Sequence, residues 1–492
     1  MPILIVVNDP QKWPFQIPGV DVVDAKNYLT KTEFSELRSV KLINLCSSYR
    51  YQSTGYYVSL LAEARGHRPQ PSVNAIQDIK SKAIVRQVSA ELDDLIQKCM
   101  SRIQSDTFTL SIYFGRNPTK RYDRLSRHLY NLLPSPLLRA QFSRDKDGHW
   151  QMRSAATISA NEIPESHREF LAEVAAEHFG GRGTRVKKRA KSRYDLAILY
   201  NPNDPEPPSD PVALKKFIKA AESMGIRSEL ITRDDYGRLA EFDALFIRET
   251  TYVNHHTYRF ASRAANQGLV VIDDPVSIAR CTNKVYLAEL LTRHKIPTPR
   301  TMIVHRDNVC EVESEMGLPC VLKKPDSAFS VGVTKSETSE ELLQQLKGLL
   351  SESELIVAQE FLPTTFDWRI GIIDGKPLYA CKYHMAQGHW QIIKQEQQGQ
   401  GRYGRVESLP IESAPRKAVS MALKAANLIG KSLYGVDVKQ SGQNFYIIEI
   451  NDNPTIESGE EDSVLRDELY RRIMSVFLSR IETSKTGTRW QW

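Results

Sequence analysis

Tyr434-Gly435-Val436-Asp437-Val438-Lys439, followed after a short turn by Phe445-Tyr446-Ile447-Ile448-Glu449-Ile450-Asn451-Asp452-Asn453-Pro454, is the stretch on which the reading of this chain rests. Both runs are rich in branched and aromatic residues and read as strands, with Ser441 to Asn444 as the turn of an antiparallel hairpin. Glu449 and Asn451, two apart, share one strand face. If Asp437 lies opposite Glu449, three oxygen ligands converge. Magnesium is a hard cation that takes such oxygens, keeps several waters and draws its other contacts from substrate phosphates. The pattern therefore points to a nucleotide site rather than a closed metal cage. The competing reading is a surface hairpin with ordinary polar decoration. Against it, Ile447, Ile448 and Ile450 flank the acids, and a carboxylate buried there is costly unless something pairs it.

Working outward, Pro319-Cys-Val-Leu-Lys323-Lys324-Pro325-Asp326-Ser327-Ala-Phe-Ser330-Val-Gly332-Val reads as strand, small-residue loop, strand. A lysine at a strand end and the amides of such a loop can neutralise and cradle phosphates. Alternation puts Lys323 and Lys324 on opposite faces, so one of the two is the ligand and the other is solvated. Leu355 to Leu362 forms an apolar strand that ends in Glu360-Phe361-Leu362, followed by a Pro-Thr-Thr turn and Asp367-Trp-Arg369. An apolar slot with backbone donors at its edge suits a purine, and a nearby carboxylate suits ribose hydroxyls. Asn283-Lys284 opens a helix with an apolar stripe that includes Val285, Ala288 and Leu291.

The bulk properties set the frame. A chain of 492 residues corresponds to about three domains. No run reaches the roughly eighteen apolar residues of a membrane span, and the first strand, Ile3 to Val7, lacks the basic start of a signal peptide. The cysteines form no Cys-x-x-Cys pair, which argues against a disulfide framework or a zinc site of that kind and fits a reducing cytoplasm. The net charge is +7, and the basic residues from Arg182 to Arg193, seven with no acid among them, account for all of it.

Apolar runs alternate with helical patterns, so the class is α/β and α+β, in several domains. The expected organisation is an N-terminal domain over 1–178, a basic linker over 179–193, a compact α/β domain over 194–276, a longer α+β region over 277–482 and a tail over 483–492. Further strands are expected at Lys41 to Leu45, Thr107 to Phe114, Ser228 to Ile231 and Ala244 to Arg248, with a hairpin turning at Asp147-Gly148.

Taken in order, Lys284, Lys323, Glu360, Asp367, Arg369, Asp437, Glu449 and Asn451 resemble the ATP-grasp superfamily, most closely its RimK-type glutamate ligases. The likeness runs from about Tyr194 to Glu482 and includes Ile278-Ala-Arg-Cys-Thr-Asn-Lys284, Asp367-x-Arg369 and Glu449-x-Asn451-x-Asn453-Pro454. The resemblance implies an ATP-grasp fold, with a pre-grasp α/β domain, two α+β subdomains and an additional N-terminal α/β domain. It places ATP between the subdomains, with Lys284, Lys323 and the loop residues Ser327, Ser330 and Gly332 at the phosphates. Glu360, Phe361 and Leu362 would hold adenine, Asp367 the ribose, and Asp437, Glu449 and Asn451 magnesium, with manganese as a substitute. The implied reaction joins a carboxylate to an amine through an acyl phosphate. Arg369 is the candidate donor to the negative charge of the tetrahedral intermediate, and Arg248 a candidate for the substrate carboxylate, each with a structural ion pair as the alternative.

The chain departs from the family pattern in two places. The phosphate loop keeps one glycine, Gly332, beside Ser327 and Ser330. The family's paired arginines and Arg-x-Asn segment are replaced by Lys382-Tyr383-His384 and Gln391-Ile-Ile393-Lys394, which makes Lys382 and Lys394 the candidate substitutes at the phosphates. The expected activity is ATP-dependent ligation of an amino acid such as glutamate to a small molecule or to a peptide or protein end. The alternatives are a phosphotransferase and a nucleotide-gated binding protein with a partner-recognising N-terminal domain. A cytoplasmic homo-oligomer is expected, with no membrane partner.

In the N-terminal region, Ser47 to Tyr57 offers small hydroxyl residues ahead of a helix, which suits an anion or helix capping by Ser53 or Thr54. Arg116, Lys120, Arg121, Arg124 and Arg127 form a second basic set, but the rest of the chain is nearly neutral and nucleic acid is not an expected partner.

Overall fold

In the computed structural model, the described residues are 3–13, 20–37, 40–159, 162–180, 192–326, 332–386, 390–391, 393–395 and 401–485. They fall into two units, Met1–Tyr194 with Asp234–Phe242, and Asp195–Arg233 with Asp243–Trp492.

In the first unit, β1 (Ile3–Val7), β2 (Val20–Asp24), β3 (Lys41–Asn44) and β4 (Arg68–Gln70) pair in parallel in the order β2-β1-β3-β4. A parallel sheet covered on both faces needs apolar residues on both, and the Leu-Ile-Val-Val run of β1 supplies them. An antiparallel sheet follows, made of β5 (Thr107–Tyr113), β6 (Leu137–Arg144) and β7 (Trp150–Thr157). The β6–β7 turn contains Gly148, whose φ of +80° is cheap only for glycine. Tyr113 and Phe114 share a core with Ile5 and Ile43, which joins the two sheets.

Ser53 settles one of the two N-terminal alternatives. It is the N-cap of the helix Thr54–Ala64, and its hydroxyl accepts from the Tyr56 amide. Part of the second basic set is also used internally. Arg116 pairs with Asp123 at 3.2 Å and Glu177 at 3.3 Å, and Arg121 donates to the Cys99 carbonyl.

In the second unit, β8 (Tyr194–Leu199), β9 (Ile226–Ile231), β10 (Ala244–Ile247) and β11 (Val270–Ile272) take the order β11-β10-β8-β9, with β10 parallel to β8 and to β11. Next come β12 (Thr301–Val304), β13 (Cys320–Lys323), β14 (Val333–Ser336) and β15 (Ile356–Glu360), antiparallel in the order β12-β15-β13-β14. A larger antiparallel sheet contains β16 (Phe366–Ile373), β17 (Lys376–His384), β20 (Val406–Leu409), β21 (Leu433–Ser441) and β22 (Asn444–Asp452), ordered β20-β17-β16-β21-β22. Between β17 and β20, β18 (Ile393–Gln395) and β19 (Gly401–Tyr403) pair with each other. One face of the five-stranded sheet carries Trp368, Ile370, Val436, Val438, Ile447 and Ile450 against the helix Arg416–Ile429. That helix presents Ala418, Ala422, Ala425 and Ala426 to the core, a small-residue stripe that lets it approach the sheet closely.

Two features differ from the expected domain map. Residues 234–242 belong to the first unit: Gly237 donates to Asn131 Oδ1 at 3.0 Å, and Lys41 pairs with Glu241 at 2.8 Å. The final helix, Asp467–Lys485, packs on the pre-grasp layer, with Tyr470 against Phe217 and Phe477 against Phe246. Buried apolar surface far apart in the chain, rather than the order of segments, decides which layer a helix completes. The basic linker and the tail beyond 485 lie largely outside the described residues. Among the described residues, no helix is long and apolar enough to cross a membrane, and all six cysteines are free thiols.

Candidate active site

The face of the five-stranded sheet opposite its core is built by register. Asp437 pairs directly with Glu449, Gly435 with Asn451, and Arg369 with Asp437. Directly paired residues project to the same side, so the two acids, the amide and the guanidinium share one face. Arg369 grips Asp437 in a fork, Nε to Oδ1 at 2.7 Å and Nη2 to Oδ2 at 2.8 Å. Asn451 Nδ2 donates to Asp437 Oδ2 at 3.1 Å.

Two lysines reach this face from other elements. Asn283 caps the helix Lys284–Arg293 by accepting from the Tyr286 amide, which places Lys284 at its first position. Lys284 Nζ then lies 3.0 Å from Glu449 Oε1. Lys323, at the end of β13, is 8% exposed and donates to Gln359 Oε1 at 2.8 Å. Lys324 turns the other way, to Glu352. A third lysine, Lys439, pairs with Asp367 at 2.8 Å and donates to Thr364.

The electrostatics follow from burial and crowding. Burial pulls the Lys323 ammonium down to about 8, with Lys284 and Lys439 adding to the fall and Glu449 and Asp367 opposing it. Burial works against charge on Glu449 too, yet Lys284 and Lys323 hold its carboxyl below the usual range. Burial raises the Asp437 carboxyl, with Arg369 opposing. The site therefore concentrates cations around acids, which suits a polyanion that arrives with its own counter-cation.

The donor set fits a hard divalent cation. Asp437, Glu449 and Asn451 offer oxygens only, on neighbouring strand positions. Each carboxylate oxygen has two lone pairs, so Asp437 keeps acceptor capacity beside its bonds to Arg369 and Asn451.

The remaining expected residues divide. Gly332 has φ +73°, and a Cβ there would meet the Lys324 side chain at 2.8 Å; Ser327, Ser330 and the Lys394 side chain lie outside what is described. Glu360 is held by Arg300, which donates from its amide and from Nε at 2.8 Å. Phe361 forms an aromatic corner with Trp390, under Lys335 Nζ at 5.0 Å. Leu362 is half-buried.

Two expected residues lie apart from this face. Lys382 pairs in register with Trp368 and lies over its ring at 5.4 Å, on the core side of the sheet and away from Asp437. Arg248 is 1% exposed. Its guanidinium donates to Ser209 Oγ at 3.0 Å, Asn453 Oδ1 at 2.7 Å, the Pro454 carbonyl at 2.9 Å and the Pro208 carbonyl. It is a buried clamp on the turn after β22.

Lys439 and Gln359 were missed in the sequence. Lys439 is two residues from Asp437 and could have been found by alternation. Gln359 reaches Lys323 only through the β13–β15 pairing, where Val321 is its direct partner, and no local pattern signals that.

Two family models match the chain, the RimK-like ATPgrasp N-terminal domain over residues 25–174 and the RimK-like ATP-grasp domain over 281–468, together more than half of its length. Among curated relatives, a "Probable alpha-L-glutamate ligase" of Thioalkalivibrio sulfidiphilus is 26% identical over 51% of this chain and 81% of its own. A protein of the same description from Vibrio vulnificus is 26% identical over 45% and 72%. A RimK domain ATP-grasp protein of Sphaerobacter thermophilus, known by crystal structure, has 14% identity and a TM-score of 0.44, covering 57% of this chain and 98% of its own. The chain belongs to the RimK-type branch of the ATP-grasp ligases, enzymes that form carbon–nitrogen bonds, as a member with an additional RimK-like N-terminal domain.

Proposed function

We propose that this enzyme uses ATP and magnesium to activate a carboxylate as an acyl phosphate and join it to an amine, with an amino acid such as glutamate as one substrate and a small molecule or a peptide end as the other. The observation that carries the proposal is the convergence of Lys284 and Lys323, from separate elements, on the acids of β21 and β22.

Carboxylate is a poor electrophile because oxide is a poor leaving group. Transfer of the terminal phosphoryl group of ATP to it makes phosphate the leaving group instead, and the amine then displaces it. Lys284 and Lys323 would neutralise and orient the phosphates, which is most of what phosphoryl transfer asks of a protein. Asp437, Glu449 and the Asn451 amide oxygen would hold magnesium, whose contribution is to offset phosphate charge. Arg369 acts first as a positioning residue, because its Nε and Nη2 fix Asp437; Nη1 is the donor available for the oxyanion of the tetrahedral intermediate. Asp367, held by Lys439 and Thr364, is the proposed ribose contact.

The test supplies ATP, magnesium and amino-acid mixtures and follows nucleotide products and new masses. Amine-dependent ADP release with an adduct lighter than its parts by one water is the expected result. A phosphorylated product that is stable without amine would sink the ligase reading in favour of a phosphotransferase. Replacing Glu449 with Gln is expected to lower turnover by about 100-fold or more, with the circular dichroism spectrum unchanged.

A further inference from the structure

Away from these residues, the loop leaving β10 gathers Glu249, His255 and His256. One ligand atom from each lies within 4.8 Å of the other two. Glu249 is 4% exposed, and both histidines are half-buried.

The contacts here are close but poorly matched. His256 Nε2 stands 2.8 Å from Glu249 Oε1. Yet among the described residues neither His256 Nε2 nor Glu249 Oε2 has a hydrogen-bond partner. A buried acceptor left in that state is costly, and an aligned ion pair would have avoided it.

A hydrogen-bonded chain holds the His255 ring in place. Its Nδ1 lies 3.0 Å from Thr257 Oγ1, and that hydroxyl donates to the Thr250 carbonyl at 3.4 Å. A hydroxyl has one proton to give. In the tautomer with Nδ1 protonated, Thr257 accepts from His255 and Nε2 carries the lone pair. Fixing the far nitrogen in this way is how ligating histidines are oriented. Burial, with His256 beside it, lowers the His255 pKa, which favours the neutral, ligating form of the ring. Helix capping does not account for His255: it is the N-cap of the helix His256–Asn266, but its side chain makes no capping bond.

We propose that Glu249, His255 and His256 bind a divalent transition metal of the zinc class through two imidazole nitrogens and one carboxylate oxygen, leaving coordination positions open to water or a substrate donor. Imidazole suits zinc and cobalt, whereas magnesium prefers oxygen, so this site is chemically distinct from the all-oxygen set on β21 and β22. It is tied to that set through the backbone, since Asn453 Nδ2 donates to the Glu249 carbonyl at 2.7 Å. The proposal does not depend on the ligase reading.

The test strips the tag-free full-length enzyme with a chelator, then titrates it with cobalt(II) in excess magnesium and without nucleotide. Visible d–d absorption and calorimetric stoichiometry are the readouts. A single equivalent bound by both the wild type and Glu449→Gln is expected. His255→Ala, with its fold checked by circular dichroism, is expected to bind at least about tenfold more weakly. A wild type that takes up no cobalt at micromolar concentration overturns the proposal, as does His255→Ala binding as tightly as the wild type. Should His255→Ala fail to fold, Glu249→Gln replaces it under the same criterion.

Discussion

Lys323 illustrates how one buried residue carries a pH dependence. Its native ammonium titrates at about 8 against an ordinary value of 10.5. Between those values the native chain holds fewer protons than the unfolded one, so this group's cost to stability, full below about 8, diminishes as pH rises through the window. Binding moves in the opposite sense, because a neutral lysine no longer attracts phosphate. The dissociation constant for ATP is expected to rise above about pH 8, by at most about tenfold per unit. Titration with a fluorescent ATP analogue between neutral and alkaline pH would show this, and Lys323→Arg should flatten the profile. A flat wild-type profile would remove Lys323 from the phosphates. Arg248 makes a different kind of prediction. Replacing it with Met leaves Ser209, Asn453 and two carbonyls without their donor, and a loss of about 3 kcal/mol or more is expected in urea unfolding. A raised KM with stability intact would instead restore Arg248 as a substrate ligand.

Among the elements, the β21–β22 hairpin shows how a ladder defect aims side chains. Strict alternation would place Ile447 on the same side as Glu449. The register shifts between the Asp437–Glu449 and Val438–Ile447 pairs, which makes Ile448 the extra residue. The bulge lets both Ile447 and Ile450 join the core while Glu449 faces Lys284 and Asn451 donates to Asp437. The neighbouring pair β16–β17 depends on a close approach. A Cβ on Gly371 would meet the Tyr379 ring at 2.2 Å, and Tyr379 is itself buried. Gly371→Ala is therefore expected to destabilise the fold by about 1–3 kcal/mol, the usual cost of overpacking, read as a lower urea midpoint with little change in slope.

Across the second unit, the final helix ties the pre-grasp layer to the five-stranded sheet. It buries Leu469, Tyr470, Ile473, Met474, Phe477 and Ile481. Arg480 donates to Asp374 in the β16–β17 turn at 2.8 Å, and Lys485 pairs with Asp243 at 2.7 Å. At roughly 1.5–3 kcal/mol for each large apolar side chain, the helix contributes as much as the whole net stability of a typical domain, about 5–15 kcal/mol. A chain ending at Arg466 is expected to lose cooperative unfolding of this unit and to bind a hydrophobic dye. A sharp, single thermal transition in the truncated protein would show the helix to be dispensable.

Much of the site was legible in the sequence because its parts obey local rules. Period-two alternation put Glu449 and Asn451 on one face, the Asn283 cap announced the helix that begins with Lys284, and turn chemistry marked the hairpin. Local rules give the relative faces of residues within one strand, but not which partner each face meets. Only the tertiary structure showed Lys323 facing Gln359 while Lys324 faces Glu352, put Lys382 on the core side, and closed Arg248 around Asn453 and Pro454. It alone gathered Glu249 with His255 and His256, whose spacing matches no short motif. These outcomes depend on strand register and on the burial of surfaces far apart in the chain, and both are set by long-range packing.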